Sequence, residues 1–232
     1  MRGSGLLKRA RQRTVDTLAI RDALDDQHFR VVLASTLAHD STFVDVGANQ
    51  GKMLAEALRV APNGRHLAFE PLPRLASELR RAYPRVDVRE IALSDRKGDA
   101  SFLHVVNATG YSGLRERDYR AGVEVQEITV RTARLDDEID DLTPALVKID
   151  VEGGELQVLR GAAEMLTRTR PVVWFEHGRG GADRYGSAPE DVWDVLGDAG
   201  LRVYDADARG PLSRLEFTES FTNNRLWNYL AR

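Results

Sequence analysis

The sequence predicts a doubly wound α/β fold, in which helices cover both faces of a mostly parallel sheet. Two observations predict it. From residue 41 onward, short apolar runs alternate with stretches whose apolar residues recur at helical spacing. The first of these runs ends in a glycine-rich turn, as the first strand of many doubly wound sheets does. The 232 residues are enough for one domain with a sizeable core.

The first part of the domain has the order β-α-β-α-β. The three predicted strands cover residues 43–46, 66–70 and 86–91. The two helices between them carry apolar stripes, which are Met53, Leu54, Ala57 and Leu58 in the first and Leu72, Leu75, Ala76, Leu79 and Ala82 in the second. Strands joined through helices in this way run parallel, because a tight hairpin cannot connect them.

The rest of the chain first departs from this rhythm and then returns to it. Residues 100–106 and 125–132 alternate like antiparallel or edge strands. Residues 146–150 and 172–176 are the next two strands, with an apolar stripe over 156–166 predicting a helix between them. Ser187 begins a further helix, and the last two strands, 201–205 and 226–230, are expected to pair antiparallel at the edge. We therefore predict an N-terminal helical segment (1–40) and a single domain (41–232).

Composition excludes several classes of protein. The 33 basic and 36 acidic residues give a net charge of −3, which argues against a protein that holds nucleic acid by charge. The absence of cysteine removes disulfides, thiolate metal sites and cysteine nucleophiles. No run approaches the roughly 20 apolar residues of a membrane helix. We expect a cytoplasmic protein with no integral membrane association.

The glycine-rich turn after the first strand is the first candidate site. Gly47 and Gly51 allow a tight turn and a close approach of a ligand, and Asp45 puts a carboxylate where a cationic amino group could be held. Asn49 occupies the second glycine position of the dinucleotide fingerprint G-x-G-x-x-G, which counts against NAD or FAD. Glu70 ends the second strand, where an acid can accept both hydroxyls of a ribose. These features predict a nucleoside with a positively charged, amino-acid-like tail, which describes S-adenosylmethionine.

Five stretches of the sequence resemble the FkbM-type methyltransferases, S-adenosylmethionine-dependent enzymes that mostly methylate hydroxyl oxygens. They are FVDVGANQG (43–51), LAFEPLP (67–73), IALSDRKG (91–98), LVKIDVEGGELQVLRGA (146–162) and VVWFEHG (172–178), in family order. The resemblance implies a Rossmann-like class I methyltransferase fold, with a mostly parallel seven-stranded sheet and an antiparallel edge strand.

The resemblance also implies roles for individual residues. Four residues of the turn would line the methionine and ribose of the cofactor, and Glu70 would hold the ribose hydroxyls. Ala92 would lie beside the adenine, with Ser94 near the same edge, and Asp150 would face the reacting centre. The four turn residues are Asp45, Gly47, Asn49 and Gly51.

Methyl transfer to a hydroxyl needs a group that removes the proton of the acceptor. Two strand ends converge where that group would act: one carries Asp150 and Glu152, and the other carries Glu176 and His177. In one hypothesis, His177 is the general base, supported by Asp150 or Glu176, whose charges would raise its pKa. In the other, Asp150 and Glu176 hold Mg²⁺, which prefers carboxylate ligands.

The sequence therefore predicts an S-adenosylmethionine-dependent O-methyltransferase acting on a small molecule, either a sugar or oligosaccharide or a secondary metabolite. The alternatives are a non-enzymatic regulator that binds S-adenosylmethionine or a nucleotide, and a dinucleotide-dependent oxidoreductase. Its expected partner is the hydroxylated acceptor and not a nucleic acid, and a homodimer is one option for its assembly.

Overall fold

The computed structural model describes residues 20–232 except 22, 117, 118, 120, 121 and 225. The helices are α1 (residues 23–36), α2 (Lys52–Val60), α3 (Pro73–Ala82), α4 (Glu155–Arg160), α5 (Ala163–Thr169), α6 (Pro189–Asp198) and α7 (Arg214–Thr222). The strands are β1 (Thr42–Val46), β2 (Leu67–Phe69), β3 (Asp87–Arg89), β4 (Ala92–Leu93), β5 (Gly98–Val105), β6 (Val125–Ala133), β7 (Pro144–Ile149), β8 (Val172–Glu176), β9 (Val203–Asp205) and β10 (Asn228–Ala231).

Seven strands form the main sheet, in the order β3-β2-β1-β7-β8-β10-β9, which confirms the predicted fold class. The first five strands in this order, which are β3, β2, β1, β7 and β8, run parallel. Their carboxyl ends therefore share one edge of the sheet. The last two strands pair antiparallel as predicted, but the reversed strand is β10, which lies one position in from the edge strand β9. A separate sheet, β4-β6-β5, holds the antiparallel pair of β5 with β6.

Alternate residues of the central strands supply two hydrophobic layers. In β8, Phe175 packs on the face covered by α4 to α7, whereas Trp174 packs on the face covered by α1 to α3. Phe29 of α1 contacts Trp174 edge-on, with ring centroids 5.4 Å apart. Residues 1–19 of the predicted N-terminal helical segment lie outside the described residues, and α1 packs directly on the sheet. No helix in the described part of the chain is long and apolar enough to cross a membrane.

The helix predicted over residues 156–166 is divided into α4 and α5. The division occurs at Gly161, where a Cβ atom would lie 2.0 Å from the Ser94 carbonyl oxygen. The chain can pass this close to Ser94 only without a side chain. Asp136 then supports the start of α5, because its Oδ1 accepts a hydrogen bond from the Met165 N–H at 2.8 Å.

Helix α7 was not predicted, although its start carries a recognisable signal. Ser213 and Glu216 form a capping box, in which the Glu216 Oε2 atom accepts a hydrogen bond from the Ser213 N–H at 2.8 Å. Phe217 on this helix is fully buried, and its ring centroid lies 4.7 Å from that of Tyr229 in β10. Helix α7 therefore closes one face of the sheet beside β8 and β10.

We expect Gly161→Ala to lower the free energy of unfolding by about 1–3 kcal/mol, because the new Cβ forces the chain away from Ser94. Urea denaturation followed by circular dichroism measures this. The control is Gly197→Ala in α6, where the nearest atom to a new Cβ is 3.9 Å away. That variant is expected to match or exceed the parent by up to about 1 kcal/mol. Equal losses in both variants would contradict the steric argument.

Candidate active site

The glycine-rich turn lies directly against the end of β7. Gly47 has φ 77°, and a Cβ atom on it would lie only 1.9 Å from the carbonyl oxygen of Asp150. The Gly47 and Ala48 N–H groups both donate to the Phe69 carbonyl oxygen, at 3.0 and 3.1 Å, which ties the turn to β2 as well. Glycine is required here by both the backbone conformation and the close approach.

Glu70 is buried at the end of β2 with both carboxylate oxygens engaged. Its Oε2 accepts a hydrogen bond from the Asn49 N–H at 2.7 Å, and its Oε1 accepts one from the Leu72 N–H at 2.9 Å. Burial raises the pKa of Glu70 to about 7, although these two hydrogen bonds oppose the rise. Because the carboxylate is fixed by backbone, its remaining lone pairs have a defined direction.

A first cavity of about 560 Å³ opens at this edge of the sheet, between the main sheet and the β4-β6-β5 sheet. It is lined by six of the predicted cofactor residues: Gly47, Asn49, Glu70, Ala92, Ser94 and Asp150. Ile91 and Leu93 add apolar surface, and Tyr185 closes another side. The volume is in the range of cavities that hold small-molecule cofactors.

Gly51 does not line this cavity, contrary to the expectation from the resemblance. It has φ 76° at the start of α2, and a Cβ atom on it would lie 2.6 Å from Leu79 Cδ2 and 3.0 Å from Tyr83 Cε2. Its lack of a side chain therefore serves the packing of α2 against α3.

Asp45 also lies outside the first cavity and is fully buried beside Lys148 of β7. Lys148 Nζ lies 3.3 Å from Asp45 Oδ1 and 3.5 Å from Asp150 Oδ2, and it donates to the Gly47 carbonyl oxygen at 2.7 Å. Burial alone would lower the pKa of Lys148, but the two carboxylates outweigh it and raise the pKa. Sequence reasoning missed Lys148, whose signal was a single charge inside the apolar run of β7.

A second cavity, of about 620 Å³, adjoins the first. Asp45 and Lys148 line it, as do Glu176 from β8 and Trp227. Six residues line both cavities, and these are Gly47, Asn49, Thr109, Gly110, Asp150 and Glu152. The two cavities therefore meet at the ends of β1 and β7.

Three carboxylates gather beside this junction. Asp150, Glu152 and Glu176 each offer an oxygen atom, and these atoms all lie within 4.8 Å of one another. The structure thus brings together Asp150 and Glu176, which the sequence predicted to converge. Glu152, which the sequence placed at the same strand end as Asp150, completes the group and has φ 62° in the turn after β7.

Glu155 stabilises the turn after β7. Its side chain is completely buried, and Oε1 accepts hydrogen bonds from the Val151 N–H at 3.1 Å and the Gly153 N–H at 3.0 Å. The two donors flank Glu152, so that Glu155 stabilises the left-handed backbone that Glu152 adopts. Burial raises the pKa of Glu155 to about 7.

His177 does not join the carboxylates, because consecutive residues of a strand end point to opposite faces. It is fully buried and lines neither cavity; its ring stacks on Phe221 of α7 at 4.9 Å between centroids. The expected rise in its pKa is wrong, since burial lowers the pKa of His177 to about 4. The structure therefore does not bring this side chain to where a general base would act.

We expect Glu155→Gln to gain stability relative to the parent as the pH rises. The raised pKa means that the folded state binds the Glu155 proton more tightly than the unfolded state does. Ionisation therefore destabilises the parent between about pH 4.5 and 7, whereas glutamine keeps the acceptor oxygen and does not titrate. The difference in free energy of unfolding should grow by roughly 1–3 kcal/mol between pH 5 and 8. Denaturation at both pH values measures it, with the exposed Glu219→Gln as control; parallel pH profiles for Glu155→Gln and the parent would contradict the assignment.

Comparison with known proteins finds a family whose matched region includes the residues of the first cavity. The family model described as the methyltransferase FkbM domain matches residues 45–203. The chain is 30% identical over 151 residues to the 2-O-methyltransferase NoeI of Sinorhizobium fredii, covering 56% of this chain and 61% of NoeI. It is 29% identical over 217 residues to the hexuronic acid methyltransferase AglP of Haloferax volcanii, covering 90% of this chain and 80% of AglP. The match thus spans less than two thirds of NoeI.

Among solved structures, methyltransferase FkbM from Methylobacillus flagellatus KT has the same fold, with a TM-score of 0.52 at 18% identity. That likeness covers 84% of this chain and 44% of the other chain. The family match covers more than half of the chain and includes most of the residues that line the first cavity. The chain therefore belongs to the methyltransferase FkbM domain family, as the five sequence stretches predicted.

Proposed function

We propose that this protein is an S-adenosylmethionine-dependent O-methyltransferase that methylates a hydroxyl group of a sugar or oligosaccharide. The observation that carries the proposal is the junction of the two cavities at Asp150 and Glu152, with Glu176 close to both. One cavity suits the cofactor and the other an acceptor. The relatives named as a 2-O-methyltransferase and a hexuronic acid methyltransferase support the reaction and the acceptor class.

The residues of the first cavity fit S-adenosylmethionine. Glu70 is a buried carboxylate whose lone pairs can accept ribose hydroxyls, and Ile91 and Leu93 offer apolar surface to an adenine. Gly47 lines the cavity with backbone alone, and its lack of a side chain lets the turn lie against Asp150 at the end of β7. S-adenosylmethionine supplies, when bound, an electrophilic methyl group on a sulfonium sulfur.

The protein itself has to orient the acceptor hydroxyl and receive its proton. Asp150, Glu152 and Glu176 can accept a hydrogen bond from that hydroxyl, and this aligns an oxygen lone pair with the neighbouring cavity. Lys148 Nζ lies 3.5 Å from Asp150 Oδ2 and so limits the positions that this carboxylate can take.

The three carboxylates are also a suitable donor set for Mg²⁺, which takes oxygen ligands and keeps several waters. We propose that Asp150, Glu152 and Glu176 hold this ion. Mg²⁺ would supply a Lewis acid that lowers the pKa of an acceptor hydroxyl. The separation of the carboxylate oxygens, within 4.8 Å, supports simultaneous coordination.

We also propose that the protein acts in the cytoplasm, which the absence of cysteine supports. The homodimer stays a prediction, and so does the expectation that the partner is a small acceptor and not a nucleic acid. Neither alters the chemistry of the junction.

We expect Glu176→Gln to lower methyl transfer to a sugar acceptor by at least about 100-fold, in the range lost with a proton acceptor, and to leave S-adenosylmethionine binding unchanged. His177→Leu is expected to retain activity within about fivefold, because its ring lies outside both cavities. Formation of S-adenosylhomocysteine with a panel of glycosides measures turnover, and calorimetry measures cofactor binding. Loss of turnover in His177→Leu with full activity in Glu176→Gln would reverse the assignment.

We expect Mg²⁺ to bind the protein and to be required for turnover. Calorimetric titration of Mg²⁺ into protein saturated with S-adenosylhomocysteine should show binding that Glu152→Gln weakens by at least about tenfold, in line with the loss of a charged ligand. Activity should disappear on dialysis against a chelator and return when Mg²⁺ is added. Full activity in excess chelator would mean that the carboxylates act on the hydroxyl directly.

A further inference from the structure

The far wall of the second cavity is built from elements that supply no catalytic carboxylate. Asp25, Asp26 and Phe29 come from α1, Asn228 is the first residue of β10, and Trp227 directly precedes it. Asp25 is buried, and its Oδ2 accepts a hydrogen bond from Asn228 Nδ2 at 2.9 Å. Arg21 pairs with the other Asp25 oxygen at 2.9 Å. This wall is therefore a connected part of the fold.

The charges that line this cavity are mostly negative. The acidic residues are Asp25, Asp26, Asp45, Asp150, Glu152 and Glu176, whereas the basic residues in the described lining are Lys52 and Lys148. Both lysines are already engaged: Lys148 lies between Asp45 and Asp150, and Lys52 pairs with Asp26. Asp45 is fully buried, yet neither of its carboxylate oxygens accepts a well-aligned hydrogen bond from a described residue.

This lining distinguishes between classes of sugar. Apart from the three carboxylates proposed to hold Mg²⁺, the acids of this lining are Asp25, Asp26 and Asp45, and the cations beside them are already paired. A carboxylate or phosphate that packs against this wall would lose water without gaining a cation of its own, which is costly. Hydroxyl and ammonium groups, in contrast, donate strong hydrogen bonds to carboxylates. The half-buried ring of Trp227 offers an apolar surface against which a sugar ring can pack.

We propose, as an inference that rests on the proposed function, that the second cavity takes a neutral or amino sugar and excludes acidic sugars. The selecting surface is the wall formed by α1, which carries Asp25 and Asp26, and by Trp227 and Asn228. AglP, by its name, acts on a hexuronic acid. The acceptor that we propose for this protein thus differs in charge from the acceptor named for AglP.

Matched glycosides test the inference. The methyl glycosides of glucose, glucosamine and glucuronic acid share one ring, as do those of galactose, galactosamine and galacturonic acid. Binding to the full chain with S-adenosylhomocysteine is measured by saturation-transfer NMR at low ionic strength, and turnover is measured with S-adenosylmethionine.

The neutral or amino sugar should bind at least about tenfold more tightly than the uronic acid of its series, a ratio equivalent to 1.4 kcal/mol. A uronic acid that binds equally or more tightly overturns the inference and leaves the proposed function standing. Absence of binding by all six, while cofactor still binds, overturns both the inference and the sugar class.

A charge-release variant tests the mechanism of selection. Asp26→Asn frees the charge of Lys52 toward the cavity, so the affinity for the uronic acid relative to the neutral sugar should rise about two- to fivefold. The rise should vanish at high salt and in the double variant Asp26→Asn/Lys52→Gln. Asp194→Asn, which releases Arg214 on α7 away from both cavities, is the matched control and should change nothing. An unchanged ratio in Asp26→Asn, or an equal rise in the control, contradicts selection by these charges.

Discussion

The ion-paired chain from Asp45 through Lys148 to Asp150 is the interaction on which the rest of the site depends. It joins neighbouring strands β1 and β7 across the sheet, and Lys148 also donates to the carbonyl oxygen of Gly47. A lysine this deeply buried is tolerated because two carboxylates and a carbonyl oxygen compensate for the lost water. Removing one partner would leave a buried charge without compensation. These ion pairs therefore fix the position of the glycine turn relative to the carboxyl end of β7.

Two further buried acids stabilise turns by accepting hydrogen bonds from backbone N–H groups. Glu70 holds the turn after β1 through the Asn49 N–H, and Glu155 holds the turn after β7 through the Val151 and Gly153 N–H groups. Burial raises the pKa of both to about 7, so each costs stability when it ionises. The two turns that these acids stabilise carry residues that line both cavities. Stability and site geometry are thus coupled through the same carboxyl groups.

Much of this arrangement could be predicted from the sequence, since the carboxyl ends of adjacent parallel strands must meet at one edge. That rule predicted the convergence of Asp150 and Glu176, and the apolar runs predicted the strands. The rule says nothing about which face a side chain takes, and His177 follows Glu176 directly, so it points to the opposite face and stacks on Phe221 of α7. The packing of Gly51 could not be predicted for a related reason: its neighbours are Leu79 on α3 and Tyr83 directly after that helix. A single sequence carries no direct record of such long-range contacts.

The elements proposed to perform the chemistry and those proposed to select the acceptor come from different parts of the chain. The carboxylates proposed to act in methyl transfer and the glycine turn lie within residues 45–203, which match the family model. The far wall of the second cavity comes from α1 and the start of β10, both outside that match. Strand ends are rigid and suit a reaction that needs fixed geometry. Asp25 and Asp26 of this wall form no ion pair with Lys148 among the described residues. Under the proposed function, a change in their charges would therefore alter acceptor selection without removing a partner of Lys148.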